Sequence, residues 1–157
     1  MQHHILVIDD DDLVCLAVKR MVERTRPEIQ VTTATTARAG LDIARQVGEQ
    51  LRLIVLDVHL PDMDGRLLAA ELRRLLPDTA LLPLTGNELA VTELLALGCE
   101  QPLIKPYPLR ALPQCIVEAL EQAQKQRHTN LTVSEDSANA KRQQCTTSTP
   151  NSPVASA

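Results

Sequence analysis

The sequence predicts an α/β fold built on a parallel sheet, and three observations carry that prediction. Short aliphatic runs alternate with stretches whose apolar residues recur at helical spacing, which is the pattern of consecutive βα units. Five such units fit into residues 1–124. Several of the aliphatic runs lead directly into a polar residue of chemical interest: Asp9 and Asp10, Asp57, Thr85 and Lys105.

Ile5 to Ile8 reads as the first, buried strand. Leu13, Leu16, Ala17 and Met21 then recur at helical spacing until Pro27 stops them. Ile29 to Thr33 makes a weaker strand, followed by a helix through Ala37, Leu41 and Ala44 that ends near Gly48. Leu51 to Leu56 is the clearest strand, closed by Asp57, and a turn at Pro61 to Gly65 leads into a helix carrying Leu67, Leu68, Leu72 and Leu75. Beyond Pro77, Ala80 to Leu84 forms the fourth strand, and a short helix covers Leu89 to Leu97 before Gly98. Leu103 and Ile104 belong to the fifth strand, and Leu112, Ile116 and Leu120 line one face of the last helix. That helix should begin irregularly. Pro108 and Pro113 bracket Leu109 to Leu112, and an interior proline costs ~3 kcal/mol, so regular helix is expected from Leu112 or Pro113. From His128 the composition turns to Ser, Thr, Asn, Ala and Gln. Residues 125–157 are therefore expected to form a disordered tail, with too little apolar surface to offset its ordering entropy.

The chain of 157 residues is 44% apolar, enough for one core, which is nearly all aliphatic because Phe and Trp are absent and Tyr107 is the sole aromatic residue. A net charge of −4 with no basic stripe argues against nucleic acid as a partner. No stretch approaches the roughly 20 apolar residues of a membrane helix. Acidic residues begin at Asp9, before any signal-peptide-like segment. The expected setting is cytoplasmic, with no membrane partner. Cys15, Cys99, Cys115 and Cys145 show no CxxC or metal-type spacing, so they read as three core residues and one tail thiol in a reducing compartment.

In an open parallel sheet, ligands bind beyond the carboxyl ends of the strands, where the winding reverses. The polar residues named above fall there together. Three crowded carboxylates repel one another and favour a bound cation, and hard, oxygen-loving Mg²⁺ fits such a set. A carboxylate can also take a phosphoryl group as nucleophile. Charge on the transferring group would then be neutralised by the cation, by the Lys105 ammonium and by a hydrogen bond from the Thr85 hydroxyl.

The runs ILVIDDDD, LIVLDVHLPDMDG, LPLTG and PLIKPY resemble the receiver domain of two-component response regulators, chemotaxis regulators among them, over residues 3–124. The resemblance implies a flavodoxin-like, doubly wound (βα)₅ open sheet, a three-layer sandwich of strand order 2-1-3-4-5. It implies Asp57 as phosphoacceptor, and Asp9, Asp10, Asp57 and the backbone carbonyl of His59 as the Mg²⁺ ligands. Thr85 matches the switch hydroxyl, Lys105 the lysine on the phosphoryl oxygens, and Lys105-Pro106 a cis bond. The implied partners are a histidine kinase or histidine phosphotransfer protein and a downstream protein. Phosphorylation-dependent homodimerisation is left open. The expected protein is a single-domain regulator rather than a turnover enzyme.

Other readings compete at particular residues. Asp11 and Asp12 suit the start of the first helix, where carboxylates cap free N–H groups and meet the positive end of the helix dipole. Asp62-Met63-Asp64-Gly65 resembles the DxDG core of phosphatases, but Pro61 before it and Arg66 after it fit a turn and helix start better. His59 could influence the hydrolytic water or simply be a solvated loop residue. Asn87 suits capping of the next helix, and His3 and His4 read as strand-edge residues. A phosphorylation-independent adaptor of the same fold is the remaining alternative. Finally, Pro102 occupies the position where the family carries its switch aromatic, and proline has no ring to swing. Readout is therefore expected through the loop after Thr85, with a partner face near Asn87 to Val91 and the turn after Asp57. Docking on the first helix is the runner-up.

Overall fold

The computed structural model describes residues 3–143, with side chains described for residues 3–127. Contacts divide the chain into Met1–Gln124 and Lys125–Ala157. In the first unit, strands β1 (His3–Ile8), β2 (Ile29–Ala34), β3 (Leu51–Asp57), β4 (Ala80–Thr85) and β5 (Leu103–Ile104) form one parallel sheet of order β2-β1-β3-β4-β5. Helices α1 (Asp12–Thr25), α2 (Ala37–Val47), α3 (Gly65–Leu75), α4 (Ala90–Ala96) and α5 (Leu112–Gln143) follow the strands in turn.

The strands read as unbroken aliphatic runs because both sheet faces are covered. Alternation along each strand sends Ile5, Val7, Leu53 and Val55 into one core with Val18 and Val22 of α1 and Ile116 and Leu120 of α5. The residues between them, Leu6, Ile8, Ile54 and Leu56, pack into the other core with Leu41, Leu68, Leu72 and Leu94 of α2, α3 and α4. This order sets the ends of β1 and β3 side by side.

Two sequence features shape the sheet margins. Leu81 accepts the Glu100 N–H and Thr85 the Lys105 N–H, so residues 81, 83 and 85 face β5. Pro83 has no N–H to offer on that side, consistent with pairing confined to Leu84 with Leu103 and Thr85 with Ile104. On β2, Val31 turns its backbone groups away from β1. Its N–H donates to Glu23 Oε1 (3.1 Å) and its carbonyl accepts from Lys19 Nζ (2.6 Å), both from α1.

The helix starts follow local chemistry. Asp11 is the N-cap of α1 and accepts the N–H groups of Leu13 and Val14, with Asp12 in the first turn, as expected. Thr36 caps α2 and Asp64 caps α3. A 3₁₀ turn at Leu109–Ala111 precedes regular helix from Leu112, the irregular start that the two prolines imply.

Four expectations need correction. The buried stripe of α1 is Cys15, Val18 and Val22, whereas Leu13 is 76% exposed and Leu16 is also exposed. On α3, Leu68 and Leu72 are buried but Leu67 is 63% exposed. In these leucine-rich helices more than one face satisfies an apolar period, and small residues such as Cys15 fit the close approach to the sheet. Cys115 is half-buried rather than core, while Cys15 and Cys99 are buried as expected. Residues 125–143, expected within a disordered tail, are helical. No Gly or Pro interrupts residues 114–149, so no strong helix breaker ends the helix begun at Leu112. Cys145 and the rest of the expected tail lie outside the described residues.

Candidate functional site

Strand order and strand ends gather the polar residues as the sequence anticipates. Asp9 follows β1, Asp57 closes β3, and carboxylate oxygens of Asp9, Asp10 and Asp57 lie within 4.8 Å of one another. Asp57 is 2% exposed. One of its oxygens, Oδ1, accepts the His59 N–H at 2.9 Å, and the other, Oδ2, faces Lys105 Nζ at 2.9 Å. The carboxylate is thus fixed on both sides, by a backbone donor on its own loop and by an ammonium from β5's end. Lys105 reaches it across a peptide that is cis to Pro106, as the family resemblance implies.

Asp9 is buried too, and Oδ1 accepts the Asp11 N–H at 2.9 Å. Burial raises its carboxyl above the usual range, and the charges of Asp57 and Asp10 add to that; the Asp11 N–H and Lys105 oppose it. The folded protein therefore binds this proton more tightly than the unfolded chain does. Its stabilisation is present below the usual carboxylate range and is lost as pH rises through the folded value. Lys105 is paired with one oxygen of Asp57, while the three carboxylates remain crowded together. Three hard oxygen donors in this condition suit a small divalent cation such as Mg²⁺.

A cleft of about 790 Å³ opens over the cluster, lined by Asp9, Asp10, Asp57, Lys105, Tyr107 and Leu109 among others. Tyr107 was not singled out as a site residue by its sequence position. Burial, with Asp9 and Asp57 nearby, pushes its hydroxyl up to about 12, so it stays protonated at any working pH.

Thr85 is fully buried at the end of β4, and its backbone carbonyl accepts the Lys105 N–H at 2.7 Å. Its hydroxyl has both its partners on Asn87: it accepts the N–H at 3.0 Å and donates to the carbonyl at 3.3 Å. The structure therefore places Thr85 beside Lys105 through the backbone while its hydroxyl serves the loop after β4. Asn87 in turn accepts the Leu89 N–H through Oδ1 at 3.0 Å, shaping the entry to α4. Pro102, which the family resemblance aligns with the switch aromatic, is buried.

The loop after Asp57 folds back on itself, with a bridge between His59 and Asp64 and a Gly65 N–H bond to the Val58 carbonyl at 2.9 Å. The DxDG residues are occupied structurally. Asp62 accepts the N–H groups of Ala37 (2.9 Å) and Arg38 (3.0 Å), capping α2 from another loop, and those bonds hold its carboxyl below the usual range. Nothing in local spacing signals that role, since the partners lie some 25 positions away. Asp64 caps α3 and grips Arg66, whose side chain is the leading cause of its lowered carboxyl. His4 Nε2 pairs with Thr32 Oγ1 at 2.7 Å, and His3 borders Gln124, so neither approaches the acidic cluster as a ligand. No helix among the described residues is long and apolar enough to cross a membrane.

Comparison with known proteins agrees with this geometry. The response regulator receiver domain family matches residues 5–117. Among curated relatives, the probable transcriptional regulator ycf27 of Cyanidium caldarium is 30% identical, over 78% of this chain and 48% of its own length. The transcriptional regulatory protein GlrR of Escherichia coli K12 is 32% identical, over 76% of this chain and 27% of its own. The chain spans about half or less of the length of such relatives. Among solved structures, a CheY-like receiver domain protein from Methanospirillum hungatei is 29% identical, with a TM-score of 0.70 over 80% of this chain and 99% of that one. The chemotaxis regulator CheY4 of Vibrio cholerae, at 24% identity and a TM-score of 0.66, covers 76% of this chain and 99% of its own and shares the fold. A sheet of order 2-1-3-4-5, carboxylates gathered at its switch point and a lysine on the central one accompany that match, and the chain belongs to the response regulator receiver domain family.

Proposed function

We propose that this chain accepts a phosphoryl group on Asp57 in a Mg²⁺-dependent reaction and signals through protein–protein contacts that depend on it. The observation that carries the reading is the buried Asp57 carboxylate, held by Lys105 on one oxygen and lying among three metal-type carboxylates. In the transfer, a carboxylate oxygen of Asp57 bonds to phosphorus as the bond from phosphorus to the donor breaks. The electron pair of that bond stays with the leaving group, a histidine nitrogen of a kinase or phosphotransfer protein. Lys105 neutralises charge on the phosphoryl oxygens, and the Thr85 hydroxyl, released from Asn87, donates to another. Asp9, Asp10, Asp57 and the His59 carbonyl would hold Mg²⁺, which when bound supplies further charge neutralisation. We read the chain as a cytoplasmic regulator, with residues 1–124 as the signalling domain and its output through a protein partner.

Acetyl phosphate with Mg²⁺, followed by borohydride trapping and mass spectrometry, tests this. The label is expected on Asp57 alone. An adduct on Asp64, or labelling that survives Asp57→Asn, would sink the assignment. Mg²⁺ alone gives a second check. At about ten times its dissociation constant it should stabilise the fold by ~1.4 kcal/mol through mass action, read as a raised thermal midpoint that Asp10→Asn largely removes. A wild-type midpoint indifferent to Mg²⁺ would argue against the cation site.

A further inference from the structure

Helix α4 is held very differently at its two ends. At its C-terminal end, Arg73 of α3 donates to the carbonyls of Leu97 (3.2 Å) and Gly98 (2.6 Å), and to Pro77 (2.7 Å) and Thr79 (2.9 Å) on the loop entering β4. One guanidinium thereby ties the last carbonyls of α4 to the α3–β4 connection. At its N-terminal end, the cap residue Leu89 offers no side-chain bond and is largely exposed. The support there comes from Asn87, whose own backbone groups are held by the Thr85 hydroxyl.

One side-chain contact crosses to this looser end. Arg66 Nη1 meets Glu93 Oε2, in the first turn of α4, at 2.7 Å. The arginine is positioned beforehand, because Asp64 takes its Nε at 3.1 Å and its Nη2 at 3.0 Å in a fork. Asp64 also bridges to His59, whose N–H lies on Asp57. Arg66 therefore joins the loop after Asp57 to α4, in a chain that has Pro102 where its family carries a switch aromatic.

We propose that Arg66 and Glu93 form a latch that opposes switching. It holds the first turn of α4 against the start of α3, and α4 can pivot about the end fixed by Arg73 only when that contact opens. The proposal rests on the phosphoacceptor reading. When the Thr85 hydroxyl turns to a phosphoryl oxygen on Asp57, Asn87 loses the two bonds that tie it to the end of β4, the entry to α4 is loosened, and the latch still holds the first turn of α4 to the start of α3. By linkage, a contact that stabilises one arrangement of α4 weakens whatever requires the other.

The test uses the full chain with Mg²⁺ and beryllofluoride, a phosphoryl mimic, followed by amide shifts in wild type, Glu93→Gln, Arg66→Gln and the double variant. Both partners are half exposed, so the expected effect is modest: each single variant binds the mimic about two- to fivefold tighter. The double variant should bind no more tightly than the tighter single, since either change opens the same contact. Without the mimic, amide exchange should quicken at Ala90 and Val91 and stay unchanged at Gly98 and Cys99. Unchanged or weaker binding in the singles, additive effects in the double, or exchange that rises evenly along α4 would each overturn the latch while leaving the phosphoacceptor reading in place. A wild-type chain that binds no beryllofluoride would overturn both.

Discussion

Lys105→Ala should slow labelling of Asp57 by acetyl phosphate on the order of a hundredfold, while Asp57→Asn abolishes it. The Lys105 ammonium sits 2.9 Å from the carboxylate oxygen, where charge on the transferring group must be met, and removing one such aligned donor costs about 10²–10³ in rate. The effect should appear in the rate at saturating Mg²⁺, because the cation and the lysine act from different residues. The same variant removes the one ammonium that pairs with the nearly buried Asp57 among the described residues. Its thermal midpoint should accordingly depend on Mg²⁺ more strongly than that of the wild type. A Lys105→Ala protein labelled at the wild-type rate would remove lysine from the mechanism.

The largest effect on stability is expected from Gly65→Ala. A Cβ at Gly65 would fall inside contact distance of the Val58 Cα, and 2.7 Å from its carbonyl oxygen. Those are backbone atoms next to Asp57, and they cannot rotate away as a side chain can. Overpacking of this kind costs about 3 kcal/mol, read as a lowered urea midpoint at unchanged slope. Gly86→Ala is the control, since a Cβ there meets nothing within 4 Å. Equal midpoints for the two variants would show that the start of α3 can move off Val58. The glycine of the DxDG run is thus explained by the close seating of α3 on the end of β3, with no phosphatase chemistry required.

What the sequence made legible follows from the length scale of each determinant. Strands buried on both faces declare themselves as unbroken runs such as Leu53 to Leu56, and the residue that ends each run is placed by topology alone. Asp9, Asp57, Thr85 and Lys105 could therefore be placed before any coordinates. Helix faces were harder. Leu13 and Leu67 satisfy an apolar period yet point outward, because burial is decided by which side meets the sheet. Long-range polar contacts left no local trace at all. Asp62 capping α2, Arg73 reaching the Leu97 and Gly98 carbonyls and Arg66 reaching Glu93 each join residues about 25 positions apart. The orientation of the Thr85 hydroxyl toward Asn87 was equally invisible, since a hydroxyl's partner depends on a single torsion.

The Lys19 and Glu23 side chains on Val31 bear on how copies of this protein can meet. A strand at the margin of a sheet is ordinarily a template on which another chain can zip. Here an ammonium and a carboxylate, themselves 3.4 Å apart, stand where a sixth strand's amide and carbonyl, respectively, would be. A second copy can extend the sheet at β2 only by evicting both. Crowded molecules are thereby steered away from adding strands at the β2 margin.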